Sequence, residues 1–409
     1  VVAGTPIPVL SLDALLALSG LAAVAATGYL LSLAVAALFY REGGEEEPGV
    51  PVRVAVLVPA HNEAELISRS VESLMAQDYP KEHYDVIVIA DNCTDTTAAL
   101  AARAGARVLV RVAPEARGKG RALRWAMDLL LADPCGYAAV AIVDADSIAD
   151  RHLLRGLVDE LAKGAEAVQG QYLALPDEDS TPARLRAAAF LLFHRTRFAG
   201  RAVLGLPCSL VGNGMLLSRQ VLESHPWTAF SGAEDLEYSL DLRLAGVRPR
   251  FAARALVSGP VSGSGRGADV QRQRWEGGRA RALRTHLPRL MAAIVRDRRG
   301  SVADAAVDLA VPPLGLLALM CLSGGALSVG LWLVGGSASA VVPWGVSVLA
   351  LVGYVIIGLA AAGATMRTYG DLLAAPVFLA RKAVGTVAVL RASRHDTWIR
   401  TERPSERGA

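Results

Sequence analysis

Three stretches of the sequence, Ala14–Phe39, Val311–Val334 and Val341–Thr365, carry no charged residue along their whole length. At about 1.5 Å of rise per residue, each is long enough as a helix to cross a hydrocarbon core about 30 Å thick. They constrain the fold more than any other feature, because they assign both ends of the chain to a bilayer and leave a mixed-polarity middle outside it. Ala34-Val35-Ala36 resembles a signal-peptide cleavage site, but no basic residue precedes the first run and it is long for a signal, so a retained span is expected. The chain starts at Val1, and residues are expected to precede it. The loop Gly335–Ala340 has no Lys or Arg, whereas Arg296–Arg299, Arg367 and the stretch from Arg381 onward are basic. The positive-inside bias then predicts a cytoplasmic middle and C-terminal tail and an N-terminus outside.

The expected partition is a span and linker over 1–49, a cytosolic domain over 50–276, an amphipathic interfacial helix over 277–305, two spans over 306–366, and an interfacial helix with tail over 367–409. The interfacial reading of 277–305 rests on arginines interleaved with Leu283, Leu287, Leu290, Met291, Ile294 and Val295 at helical spacing, with Pro288 expected to kink the helix. Asp371–Leu390 is read as interfacial because Arg381 and Lys382 interrupt it.

Within the middle, short apolar runs alternate with helical patterns. Strands are predicted over Arg53–Val58, Asp85–Ala90, Arg107–Val110, Ala138–Val143 and Ala167–Leu173, with helices between them that include Thr96–Ala104, Arg121–Leu131 and His152–Lys163. A long helix is predicted over Ala183–Leu204, a helix ending at Ala245 follows Ser231–Asp235, and Gly259–Gly267 reads as a glycine- and serine-rich loop. This alternation predicts an α/β fold with a mostly parallel sheet covered on both faces, whose ligands sit at the carboxyl ends of the strands. His61–Glu63, Asp91 and the pair Asp144/Asp146 all fall at those ends. In Val140–Ser147, read as a strand, Asp144 and Asp146 share one face and suit a hard divalent cation.

Other classes are disfavoured. A formal net charge of +3 gives no footprint for nucleic acid. The four cysteines have no C-x-x-C spacing, so neither a zinc site nor a disulfide frame is expected. No G-x-G-x-x-G follows the first strand, and Lys119 is followed by Gly120 rather than Ser or Thr, which argues against a dinucleotide oxidoreductase and a P-loop NTPase. Only four lysines occur, and Lys119 sits inside a glycine turn. His61 and His194 are read as structural.

Val-Pro-Ala-His-Asn-Glu (58–63), Ala-Asp-Asn-Cys-Thr-Asp (90–95), Gly-Lys-Gly (118–120), Asp-Ala-Asp (144–146), Glu-Asp (234–235) and Gln-x-x-Arg-Trp (271–275) occur in that order. Together they resemble the membrane-bound family 2 glycosyltransferases of GT-A fold, the group that includes cellulose, chitin and hyaluronan synthases. The resemblance covers about Val54–Trp275, and Trp398–Arg403 looks like that group's membrane-proximal ending. It implies an inverting hexosyltransferase that passes a sugar from a UDP-sugar to a growing β-linked polysaccharide. The alternative is transfer of one sugar to a lipid acceptor, a polyprenyl phosphate or diacylglycerol.

By the same resemblance Pro59, Glu63 and Asp91 hold uracil and ribose, and Lys119 reaches the diphosphate. Asp146, with Asp144, holds Mg2+ or Mn2+. Asp235, beside Glu234, is the base for the acceptor hydroxyl. Gln271, Arg274 and Trp275 meet the donor diphosphate and sugar, and Trp275 with Asn213 faces the acceptor. The family often has Thr before Glu-Asp; Ala233 here departs from that pattern, which counts against a hydroxyl role at that point and leaves the base role of Asp235 untouched. The expected partners are a UDP-sugar, a polysaccharide or lipid-linked acceptor, membrane lipids, and a second copy of the chain. The expected location is a bacterial plasma membrane, crossed several times, with the catalytic part cytoplasmic. A membrane-anchored nucleotide-binding module without catalysis is the reading from another class, and the retention of Asp91, Asp144, Asp146 and Asp235 argues against it.

Overall fold

In the computed structural model, residues 7–43, 50–176, 179–261, 265–297 and 300–379 are described. The chain begins with α1 (Ile7–Ala37), then alternates through β1 (Val54–Ala60), α2 (Ile67–Met75), β2 (Tyr84–Asp91), α3 (Thr97–Arg103), β3 (Arg107–Arg111), α4 (Lys119–Ala132) and β4 (Ala139–Ile142). β1 is buried along its whole length. Successive residues of a strand face opposite sides, so Val54, Val56 and Val58 join one core layer while Ala55 and Leu57 join the other. This is the continuous apolar pattern of a strand covered by helices on both faces. Pro59 is tolerated because β4 pairs β1 only as far as Leu57 and Ile142, so the missing N–H falls where that neighbour has ended.

After β4 come β5 (Ile148–Ala149), α5 (Leu153–Ala162), β6 (Ala167–Pro176) and α6 (Thr181–Leu191). A π-helical segment, Leu192–Arg197, joins α6 to α7 (Phe198–Val203). Then follow β7 (Met215–Ser218), α8 (Arg219–Ser224), α9 (Glu234–Ala245) and β8 (Arg250–Val261). The eight strands form one sheet in the order β3-β2-β1-β4-β7-β6-β8-β5. β3, β2, β1 and β4 are mutually parallel; β7 runs antiparallel to β4 and β6, and β8 is parallel to β6. The sheet is therefore parallel over its first half and mixed beyond. The winding reverses between β1 and β4, which opens a crevice at their carboxyl ends.

The rest is helical: α10 (Gly265–Asp297), α11 (Gly300–Ala310), α12 (Leu314–Leu333), α13 (Val341–Ala361) and α14 (Met366–Asp371). Among the described residues three helices are long and apolar enough to cross a membrane: Leu12–Ala37, Leu314–Leu333 and Val341–Ala361. They pack on one another around Leu30, Ala34, Leu317, Cys321, Trp344 and Tyr354. The Trp344 indole donates to the Leu16 carbonyl at 3.0 Å across α1 and α13.

Several local expectations are corrected. The stretch read as a glycine-rich loop, Gly259–Gly267, is largely the end of β8 and the start of α10. β8 is held there by β6, with Gly259 opposite Ala174, a long-range pairing that overrides local turn chemistry. The helix expected over Ala183–Leu204 is interrupted by the π turn. α10 runs as one helix through Pro288. Leu283, Leu287, Leu290 and Ile294 pack on Leu240 of α9 and on Val302, Ala305 and Leu309 of α11, which leaves Met291 and Val295 exposed.

The arginines nearby also turn inward. Arg201, 1% exposed, donates to Asp304 at 2.7 Å and Arg243 to the same carboxylate at 2.8 Å, while Arg197 pairs with Asp308. Arg279 donates to the carbonyls of Asp308, Leu309 and Val311, closing the end of α11. The Tyr29 hydroxyl of α1 donates to Asp304, tying the first span to the same cluster. Of the segment expected to be interfacial, Asp371–Leu390, the part from 380 on lies outside the described residues, as do Arg381, Lys382 and Trp398–Arg403.

Candidate active site

The loops after β1 and β2 build the first wall of the crevice, stitched by their own polar side chains. The His61 ring donates from Nδ1 to the Asp91 carbonyl at 2.7 Å. Asn62, at φ 56°, accepts from the Thr94 amide at 2.8 Å, and the Glu63 amide donates to Thr97 Oγ1 at 2.8 Å. The Glu63 carbonyl starts α2 by accepting from Leu66 and Ile67. His61 thus braces the wall, in keeping with its structural reading.

Asp91 closes β2, 1% exposed. Its Oδ1 accepts from Arg111 at 2.5 Å and from Asn92 at 3.0 Å. Its Oδ2 is buried with no hydrogen-bond partner among the described residues. A buried carboxylate oxygen left unmet is costly and marks a place where a ligand N–H or O–H is missing. Arg111 escaped the sequence reading. The signal available was its place at the end of β3, in register with Asp91 on β2. It also donates to the Ala116 carbonyl at 2.8 Å, which braces the turn leading to Lys119.

Asp144 and Asp146 are not on a strand. β4 stops at Ile142, and the acids occupy a turn closed by the Ser147 amide donating to the Asp144 carbonyl at 3.1 Å. The one-face argument from strand alternation therefore fails, but its consequence survives: both acids are half-exposed, while Ala145 and Ser147 between and beside them are buried. Lys119, at the start of α4, donates to Asp144 Oδ1 at 2.5 Å and to the Gly212 carbonyl at 2.9 Å, and lies 4.0 Å from Glu234 Oε1. Burial works to lower the Lys119 pKa, but the charges of Asp144, Glu234 and Asp235 outweigh it and hold it above the ordinary lysine value. Here the ammonium stands on the acid expected to bind a metal.

Glu234 and Asp235 start α9, Glu234 buried and Asp235 half-exposed. Asp235 Oδ1 accepts from the Leu236 amide at 2.8 Å. Its Oδ2 lies against Gly212, where a Cβ would stand only 2.9 Å away. Gly212 has φ +76°, so both its backbone conformation and this approach require glycine. One glycine therefore accepts from Lys119 through its carbonyl and, by lacking a side chain, leaves room for the Asp235 carboxylate, which brings the acids of the β4 turn and of α9 to one place.

Asn213, expected to face an acceptor, faces inward instead. It is fully buried, its Oδ1 accepts from the Asp144 amide at 3.1 Å, and its Nδ2 donates to Ser147 Oγ at 2.9 Å. It shapes the Asp144 turn and has no surface left for an acceptor. Gly278 of α10 packs directly on Ala233, where a Cβ would come within 2.3 Å of the alanine Cβ. That contact sets Trp275, one turn earlier and 43% exposed, beside the start of α9. The Gln271 and Arg274 side chains lie outside the described ones, although both residues belong to α10.

The sequence profile of the family described as "Glycosyltransferase like family 2" matches residues 51–278. Among curated proteins, the β-monoglucosyldiacylglycerol synthase of Synechocystis sp. is 28% identical over 238 residues, which is 56% of this chain and 49% of that protein. The probable glycosyltransferase YdaM of Bacillus subtilis is 25% identical over 227 residues, 53% of this chain and 52% of that protein. The chain thus spans about half the length of these relatives. Among solved structures, the mannosyltransferase PcManGT from Pyrobaculum calidifontis, in complex with GDP-mannose and Mn2+, superposes with a TM-score of 0.54 at 19% identity, covering 85% of this chain and 98% of that one. With a profile that takes in more than half of its length and every β-strand of the sheet described above, the chain belongs to the family 2 glycosyltransferases and carries their GT-A fold.

Proposed function

We propose that the chain transfers a hexose from a UDP-sugar, with inversion, to a lipid acceptor at the cytoplasmic face of a bacterial plasma membrane. The observation that carries the catalytic part is the convergence of Lys119, Asp144, Glu234 and Asp235 around Gly212, at the carboxyl edge of β1 and β4. Asp235 is the general base: it takes the proton of the acceptor hydroxyl as that oxygen attacks the anomeric carbon and the UDP oxygen leaves from the opposite face. Glu234 holds Lys119, and Lys119 swings from Asp144 to the diphosphate when donor binds. The unmet Asp91 Oδ2 is positioned for the uracil ring N–H, with Pro59 and Glu63 lining the same wall. Trp275 offers a face for a sugar ring, with Gln271 and Arg274 on the same helix.

Asp144 and Asp146 fit Mg2+ or Mn2+: both are oxygen donors, both are accessible, and a cationic ammonium already sits on one of them. Among the described residues no three acidic, histidine or cysteine side chains are grouped to hold an ion. The protein would therefore supply two carboxylates, and the donor phosphates would complete the shell. When bound, the ion would neutralise charge on the departing diphosphate.

A lipid acceptor is favoured over a growing polysaccharide because the described residues hold three helices long and apolar enough to cross a membrane, packed on one another around Trp344 and Tyr354, a thin assembly for passing a polymer. The names of the cyanobacterial relatives support the same choice. Polymer extension remains the second reading, supported by the Gln-x-x-Arg-Trp motif, with a second copy of the chain supplying the channel. Asp235→Asn is expected to abolish transfer and retain UDP affinity; an equal loss of UDP affinity would overturn the base assignment. EDTA is expected to remove activity and added Mg2+ or Mn2+ to restore it, and full activity in EDTA would refute the metal role.

A further inference from the structure

Lys119 and a divalent ion make rival claims on one carboxylate. The Lys119 ammonium donates to Asp144 Oδ1 at 2.5 Å, and the two side chains are 17% and 31% exposed. Asp144 is also one of the two acids that fit Mg2+ or Mn2+. The ion and the ammonium therefore compete for Asp144, unless one of the partners moves aside.

Neither backbone can give way. Asp144 is pinned from both ends, its amide donating to the buried Asn213 Oδ1 at 3.1 Å and its carbonyl accepting from the Ser147 amide at 3.1 Å. Lys119 follows Gly118, held at φ +123°, and precedes Gly120, where a Cβ would stand 2.3 Å from the Ala229 carbonyl oxygen. That oxygen is itself fixed, because it accepts from the Trp227 indole at 2.9 Å. The start of α4 is thus wedged in place, and the four-carbon stem of Lys119 is the part that can move. It has somewhere to go. The Gly212 carbonyl already accepts from the ammonium at 2.9 Å, and Glu234 Oε1 lies 4.0 Å away. The charges of Asp144, Glu234 and Asp235 hold the Lys119 pKa above the ordinary lysine value, so the group is a cation throughout the neutral range.

A divalent ion arriving by itself meets a carboxylate already paired with a cation. It must share Asp144 with a like charge or drive the ammonium off it. Ions of this kind, seated on one or two carboxylates, rely on substrate phosphates to complete their shell. A diphosphate changes both sides of the competition at once. It gives the ion more oxygens, and it gives the ammonium an anion in place of Asp144.

We propose that Lys119 is the resident counter-ion of Asp144, and that the site takes its metal as the chelate of a nucleoside diphosphate rather than as the free ion. This rests on the reading of Asp144 and Asp146 as metal ligands given above. The exchange runs in reverse after transfer: as UDP leaves, the ammonium returns to Asp144 and the ion departs with the nucleotide.

The test uses the full chain in detergent and reads bound Mn2+ by electron paramagnetic resonance, with and without saturating UDP, after subtracting the ion that UDP holds in solution. In wild type, UDP is expected to raise Mn2+ affinity by about 50-fold, and Mn2+ to raise UDP affinity by the same factor. Lys119→Met is expected to raise the nucleotide-free Mn2+ affinity by about ten-fold, because the competing charge is gone. Unchanged or weaker nucleotide-free Mn2+ binding in Lys119→Met, or a wild-type affinity indifferent to UDP, would overturn the exchange alone. Asp146→Asn is expected to hold no Mn2+ even with UDP. Mn2+ held equally well by Asp146→Asn, or no Mn2+ held by wild type with UDP present, would sink the metal reading and this proposal with it. Should Lys119→Met fail to fold, Lys119→Gln takes its place, and the mutual factor in wild type still decides: a factor near one overturns the exchange.

Discussion

Replacing Arg111 by Met tests whether a buried ion pair holds the donor wall. The Arg111 and Asp91 side chains are 9% and 1% exposed and 2.5 Å apart. Removing one partner of such a pair leaves a buried charge uncompensated, at a cost of about 3–5 kcal/mol. Asp91 Oδ1 would keep only the Asn92 amide, and the carboxylate would rotate to satisfy both oxygens, so Oδ2 would no longer point at a ligand. Loss of one charge-assisted hydrogen bond together with its alignment is worth roughly 2–3 kcal/mol, or about 100-fold in UDP affinity. The assay is calorimetric UDP titration of the detergent-solubilised chain, alongside its denaturant midpoint. The double variant Arg111→Met/Asp91→Leu is expected to regain most of the stability, because no charge is left stranded, and to stay unable to bind UDP. UDP affinity within about two-fold of wild type in Arg111→Met, at an unchanged midpoint, would refute the reasoning.

Two further outcomes follow from the same geometry. Gly212→Ala places a methyl 2.9 Å from Asp235 Oδ2 at a φ of +76°; kcat is expected to fall by about 100-fold or more with the fold intact, as read by single-turnover transfer and by circular dichroism. Asp308 lies among Arg201, Arg197, Arg279 and Arg243; burial opposes its ionisation, but these guanidiniums win and hold its carboxyl well below the ordinary value of 3.8. The stability this contributes is fully present above about pH 4 and drains away as the pH falls further. A plot of denaturation midpoint against pH should show that acid limb in wild type, and Asp308→Asn should lower the plateau and flatten the limb.

Legibility followed the range of the interaction. Strand-and-helix alternation over Val54–Ile142 was readable because β1, β2 and β4 are buried on both faces and each connection is local. Asp91 and the turn acids were readable as candidates because they fall at or just after a strand's carboxyl end, whereas the Glu-Asp pair was singled out only through the family resemblance. The readings that failed depend on distant partners. Asn213 looks like an exposed turn residue until Asp144 and Ser147 are brought to it. Arg197 and Arg201 give no sign in the sequence of turning inward until Asp304 and Asp308, a hundred residues away for Arg201, meet them. Gly259–Gly267 has the composition of a loop, and only the pairing of β8 with β6 makes part of it a strand.

What the sequence determines by itself is what depends on nearest neighbours along the chain: three helices long and apolar enough to cross a membrane from uninterrupted apolarity, an α/β sheet from periodicity, and a set of acids at strand ends. What tertiary structure decides is which of those groups meet. Gly212 carries no signal that its carbonyl will receive Lys119 and that Asp235 will occupy the space a side chain would need, and Arg111 shows only a place at a strand end, not that Asp91 will need it. The physical reason is that hydrogen bonds and ion pairs act over a few ångströms in space, whatever the separation in sequence, so their partners are assigned only once the sheet has set its strand order.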